Sequence, residues 1–142
     1  MLNILKMSEA ASMAIHAMVV VAANDGRTLT VKNIASVIKV SETHLSKVMQ
    51  RLTRAGLVVS TRGPGGGVEL NGGNNKLLEI YEAVDGPLAT NNCLFEKSIC
   101  EKKKCIFDKL LNQINRDFHR YMLKTNLKSI VKKNGGKPWK IS

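Results

Sequence analysis

The chain has 142 residues, room for one compact domain and at most an added arm. Hydrophobic residues make up 44% and can build a core, while aromatics reach only 4%, which argues against base stacking on single-stranded nucleic acid. Twenty-two Lys and Arg against eleven Asp and Glu leave a formal charge of +11, so a polyanionic partner is expected, duplex nucleic acid or an acidic membrane surface.

No apolar run approaches the ~18 residues needed to cross a bilayer. The longest, Ala14 to Ala23, contains His16 and belongs to an amphipathic pattern. The first six residues lack a basic region followed by a long apolar core, so no signal peptide is read and a cytoplasmic protein is expected. No internal repeat is visible.

In chain order, Ser8 to Ala23 predicts a helix with Met7, Ala11, Ala14, Ile15, Met18, Val19 and Ala22 on its apolar face. Asn24-Asp25-Gly26 stops it. A second short helix follows Thr30 through Ile34, Ala35 and Ile38. Lys39-Val40 makes a tight turn, and Ser41 caps a third helix with Glu42 in its first turn. Leu45, Val48, Met49 and Leu52 form the apolar stripe of that helix, which ends at Ala55-Gly56. The period then changes. Leu57 to Thr61 and Gly67 to Leu70 read as strands joined through Arg62-Gly-Pro-Gly-Gly-Gly67. A short helix from Lys76 to Val84 ends at Asp85-Gly-Pro87. The longest helical pattern, Ile106 to about Val131, has more apolar face than so small a domain covers, so it reads as a dimerisation helix; His119 within it reads as structural. The basic tail, residues 132–142, is expected to be mobile. The division is therefore 1–85 head, 86–105 cysteine loop, 106–131 dimerisation helix and 132–142 tail.

Two short helices, a tight turn, a polar-faced third helix and a hairpin form a winged helix-turn-helix, mainly α with a small β-hairpin. The N-terminal end of the third helix would enter the major groove. Thr43, His44 and Gln50 are the expected base readers, with Ser46 a weaker candidate, and Ser41 stands at the helix start. Lys32, Lys47, Arg51 and Arg54 are expected to neutralise phosphates. Arg62 at the hairpin tip suits a backbone or minor-groove contact, and Gly63, Gly65 and Gly66 permit close approach.

Cys93, Cys100 and Cys105 fall within thirteen residues, with gaps of six and four. Neither gap is the two-residue spacing of a zinc knuckle, whereas wider gaps suit a cluster whose metal atoms spread the ligands. Lys97, Lys102, Lys103 and Lys104 would favour thiolates and offset a cluster's charge. Three thiols without a cofactor form the alternative reading.

Residues 7 to 131 resemble the Rrf-type winged-helix family that includes IscR, NsrR and CymR. The resemblance rests on Ile34-Ala35, Val40-Ser41, His44-Leu45, Arg51-Leu52, Gly56-Leu57-Val58, Ile80-Tyr-Glu-Ala-Val84 and above all Arg62-Gly-Pro-Gly-Gly-Gly67. Departures are the residues before the first helix, and Ser12 and Ser46 where relatives often carry charges. The resemblance implies a homodimer on a partly palindromic operator. Because IscR- and NsrR-like members carry three cysteines in this loop, it also implies a two-iron or four-iron cluster on Cys93, Cys100 and Cys105. Asp108, one helical turn past Cys105, or His16, from the partner's first helix, would then supply a fourth ligand, with Glu9 and Ser12 behind them. The expected function is a repressor whose DNA affinity depends on a cluster sensing nitric oxide, redox state or iron–sulfur supply. The rival is a cluster-free regulator using a thiol switch or small metabolite. An electron-transfer enzyme is disfavoured, because no glycine fingerprint follows a strand and no nucleophile–base pair is evident.

Overall fold

The computed structural model describes residues 7–88, 93–94, 97, 99–100, 105–135 and 139–141. Among these are six helices and a two-stranded antiparallel hairpin. The opening hexapeptide and Lys102, Lys103 and Lys104 lie outside the described residues.

The first helix, α1 (Glu9–Ala23), is the central post of the head. Small and β-branched residues on most of its surface let other helices approach, and nine of its side chains are buried. Ser8 caps it, its Oγ accepting the Ala11 N–H at 3.0 Å. Helix α2 (Val31–Ile38) opens with a reciprocal capping box, in which the Asn33 N–H donates to Thr30 Oγ1 and the Thr30 N–H to Asn33 Oδ1. It ends at Lys39, which takes a left-handed conformation with φ 58° and so makes the turn tight. Helix α3 (Glu42–Arg54) buries the stripe Leu45, Val48, Met49 and Leu52 against α1 and α2.

Strand β1 (Val58–Thr61) pairs with β2 (Gly67–Leu70), Val58 lying opposite Leu70. Val58 and Val68 point inward and are buried. A bridge from Leu29 to Val68, with N···O distances of 3.1 and 2.7 Å, ties the hairpin to the segment before α2. The Asn71 side-chain amide donates to the Gly56 carbonyl and fastens its base to the end of α3. Helix α4 (Leu77–Asp85) closes the head by burying Leu77, Ile80 and Tyr81.

The C-terminal part departs from expectation in two ways. The helical pattern from Ile106 to Val131 is broken into α5 (Leu110–Lys124) and α6 (Leu127–Lys133). At the break Thr125 is extended, its carbonyl accepts the Leu77 N–H, and the Leu127 N–H donates to Asn75 O. Asn126 then caps α6 through the Ser129 N–H. The break is held by these backbone bonds to residues some fifty positions earlier, a pairing that no local pattern announces. Helix α6 returns to the head and packs on α1, with Leu127 fully buried.

The tail is the second correction. Lys132 and Lys133 belong to α6, and Trp139–Ile141 are fixed against α1. The buried Asn24 amide donates to Val20 O and Trp139 O, and its Oδ1 accepts the Ile141 N–H at 2.9 Å. The Arg27 guanidinium also donates to Ile141 O at 2.8 Å. A polar side chain in the core has a full set of partners only when the tail is docked.

Candidate nucleic-acid interface and cysteine segment

Helix α3 carries its polar side chains outward. Thr43, His44, Lys47, Gln50, Arg51 and Arg54 are exposed, and Ser46 is half-buried. The Ser41 Oγ accepts the His44 N–H at 3.4 Å, so its side chain is engaged in capping. Lys32 is exposed in the first turn of α2. Arg62, Gly63 and Gly65 are exposed at the hairpin tip. Gly66 is half-buried because its N–H donates to Gly63 O at 2.9 Å, and a Cβ there would collide with the Thr61 carbonyl. The glycines therefore shape the tip as well as bare it.

Arg51 has a role the sequence did not suggest. Its guanidinium donates to the Val84 carbonyl at 3.3 Å, linking α3 to the end of α4. The next residue, Asp85, accepts the Ser8 N–H at 3.2 Å and the Ser8 hydroxyl at 2.5 Å. Val84 and Asp85 thus form a node joining the recognition helix, the start of α1 and the chain leading to the cysteines. Such long-range pairs leave no local signal in a sequence. The only hint was that Arg51 stands on the last turns of α3 beside the apolar stripe.

Cys93 and Cys100 are half-buried and Cys105 is exposed; none is in a disulfide. Lys97 is exposed beside them. Asp108 is not on a helical turn, as spacing suggested, but in a turn ahead of α5 with φ 51°. Its N–H donates to the Cys105 carbonyl at 2.9 Å, which keeps the two residues adjacent. His16 stands on the outer side of α1, exposed, with Nδ1 at 2.6 Å from Ser12 O and its ring 6.0 Å from that of Trp139. His119 is exposed on α5. Among the described residues no three His, Cys, Asp or Glu side chains converge as a metal site. The Tyr81 phenol is held above its ordinary range by burial and then by the nearby Asp85 and Glu82 carboxylates.

The sequence model of the Rrf2 family, described as iron-dependent transcriptional regulator, matches residues 7–133. The chain belongs to the Rrf2 family. BadM of Rhodopseudomonas palustris, an HTH-type transcriptional regulator by name, is 28% identical over 131 residues, covering 89% of this chain and 78% of BadM. In fold the chain is similar to CymR, the global cysteine regulator of B. subtilis (TM-score 0.74, 23% identity, 91% of this chain and 98% of that one). It is likewise similar to T. potens IscR (TM-score 0.67, 21% identity, 91% and 88%). This Rrf2-family protein is therefore a transcription regulator with a winged-helix DNA-binding head, not an enzyme. No helix among its described residues is long and apolar enough to cross a membrane.

Proposed function

We propose that this Rrf2-family regulator is a homodimeric repressor whose operator affinity is set by an iron–sulfur cluster on Cys93, Cys100 and Cys105. The observation that carries the reading is the placement of those thiols in the chain. They follow directly on the α4 end, where Arg51 and Ser8 attach the recognition helix and α1. A change in the cysteine segment therefore bears first on the node that positions α3.

The donor set fits a two-iron or four-iron cluster in chemistry: three soft thiols in a lysine-rich segment, with a carboxylate at Asp108 tied to Cys105. Since the described side chains do not converge beforehand, ligand binding would draw the segment together. His16 is the other candidate for the fourth position. When bound, the cluster supplies a centre that oxidants or nitric oxide can alter, and the chain's own residues transmit the change. The family description, iron-dependent transcriptional regulator, supports the reading.

The dimer reading rests on α5. Tyr121 and Leu123 are 58% and 42% exposed, and Ile106, Phe107 and Leu110 continue an uncovered apolar surface at its start. On a partly palindromic operator two heads would sit about one helical turn, ~34 Å, apart. Thr43, His44 and Gln50 would read bases, while Lys32, Lys47, Arg54 and Arg62 would hold phosphates.

The likeness to CymR favours a second reading, a thiol switch without a cluster. Anaerobic reconstitution with ferrous iron and sulfide separates the two. A visible absorbance that Cys105→Ser removes, and that nitric oxide bleaches in step with a change in operator binding, is expected. A colourless protein with three titratable thiols, whose operator binding follows thiol oxidation, would assign the switch instead.

A further inference from the structure

The hairpin and the C-terminal helices meet at one turn, Asn71-Gly-Gly-Asn-Asn75, which leads from β2 toward α4. The side chain of each asparagine is tied to a different element. The Asn71 amide donates to Gly56 O at 2.9 Å, just past the end of α3. Asn74 Oδ1 accepts the Lys128 N–H at 3.0 Å in the first turn of α6. The Asn75 amide donates to Glu79 of α4 at 3.3 Å, and its carbonyl accepts the Leu127 N–H at 3.0 Å. Leu70, at the foot of β2, lines one small depression with Gly73, Asn74, Leu127 and Lys128. The foot of the hairpin is therefore fastened to the recognition helix on one side and to the α5–α6 junction on the other. Helix α6 already has a cap of its own in Asn126, so Asn74 reaches it from outside. Between the two ties stand Gly72, left-handed at φ 72°, and Gly73. Glycine is the most compliant backbone, so the ties on either side, rather than the link itself, fix the foot.

We infer that Asn71 and Asn74 are positioning residues of the wing, through which the end of α3 and the α5–α6 junction together set where Arg62 stands relative to the base-reading face. The hairpin makes that placement sensitive. Its four-residue strands carry the tip about 13 Å from the foot, so a tilt of ~5° at the foot moves Arg62 by about 1 Å. A shift of that size takes a guanidinium out of hydrogen-bond range of a phosphate oxygen. Neither asparagine carries charge, and neither has to touch DNA. The Val84–Asp85 node bears on the recognition helix, whereas this turn bears on the wing, so the C-terminal helices reach the two parts of the reading surface by separate routes. The inference rests on the proposed phosphate contact of Arg62 and not on the cluster.

The test uses the full-length apoprotein and a labelled duplex of about 30 base pairs that the protein selects from a random pool, long enough for two half-sites. Affinity is followed against salt for Arg62→Ala, Asn71→Ala, Asn74→Ala and each asparagine variant combined with Arg62→Ala. Asn74→Ala should weaken binding about three- to tenfold, the range of one lost hydrogen bond. It should also lower the slope of log affinity against log salt toward the Arg62→Ala value, although no charge is removed. In the Arg62→Ala background the same substitution should cost less than about twofold, because the group it positions is gone. Asn71→Ala should follow the same pattern. Both asparagines are exposed, so the far-ultraviolet spectrum of each variant should match the wild type. A wild-type salt slope in either asparagine variant, or its full cost repeated in the Arg62→Ala background, overturns the inference while leaving Arg62 on the phosphate. An Arg62→Ala protein with wild-type affinity and slope removes the wing contact itself, and the inference with it.

Discussion

The head and the arm of this molecule are packed on different principles. In the head, α1 to α4, the hairpin and the segment before α2 share one continuous core and supply eight of the nine largest fully buried side chains: Met18, Val20, Val21, Leu29, Ile34, Leu45, Leu52 and Ile80; the ninth, Leu127 of α6, joins the same core. In α5 only Leu111 and Met122 are buried, while Leu110, Tyr121 and Leu123 face solvent. The head closes over its apolar surface within one chain; the arm leaves surface that only another body can cover. Stability therefore resides in the head, and the proposed reading puts responsiveness in the arm and the cysteines beside it. The same division suits a regulator, because the reading surface must keep its shape while its placement varies.

The largest expected loss comes from breaking the head at the hairpin. Gly67 has φ 152°, and a Cβ there would run into the Leu29 carbonyl across the bridge that holds β2. Gly67→Ala should cost about 2–5 kcal/mol, combining overpacking with backbone strain, measured by urea unfolding. Cys105→Ser, by contrast, should leave apoprotein unfolding unchanged, since that side chain is exposed. If Cys105→Ser destabilised the apoprotein as much as Gly67→Ala, the division between head and arm would fail. Next in size is Ser8→Ala, which removes both the α1 cap and the hydroxyl bond to Asp85. A loss of about 1–2 kcal/mol is expected. The more telling readout is operator affinity. Because Ser8 and Arg51 meet at the same node, Ser8→Ala should weaken DNA binding without touching DNA, and an unchanged affinity would remove the node from the mechanism.

Much of the head was legible in the sequence because its signals are local. The cap at Ser41, the stripe Leu45–Val48–Met49–Leu52 and the change of period at Leu57 each depend on a few neighbouring residues, and each stands where it was expected. The arm is less legible. The break at Thr125–Asn126 is imposed by pairing with Asn75 and Leu77, some fifty residues away. Lysines and glycines predict a mobile tail, yet Trp139 is placed by Asn24, a partner 115 residues distant. In the candidate interface, exposure of Lys47, Arg54 and Arg62 followed from the pattern, whereas the Arg51–Val84 bond did not. Side chains that face outward announce themselves by type. Those that stitch distant segments do not.

The hairpin tip offers a sharper test of the reading surface. Arg62→Ala should weaken operator binding across sequences and reduce the slope of log affinity against log salt by about one. Arg51→Ala should behave differently. With its guanidinium turned to Val84, its loss should lower affinity while leaving the salt slope close to that of the wild type. Equal slope changes in the two variants would return Arg51 to the phosphate contacts and leave the α4 node without a link to the recognition helix.

The smallest effect lies at alkaline pH and isolates the α4 packing itself. Tyr81 is buried, and burial, then Asp85 and Glu82, raise its pKa above the ordinary value of 10.0. The unfolded chain therefore begins to lose this phenolic proton at a lower pH than the folded one. Well below pH 10 both states hold the proton and Tyr81 contributes no pH dependence. As pH rises from 10 through the folded-state pKa, the unfolded state is favoured and stability falls. Tyr81→Phe should flatten that part of the decline in thermal unfolding. The part of the decline that this variant loses measures the enclosure of Tyr81 in α4 together with the Asp85 and Glu82 carboxylates beside it.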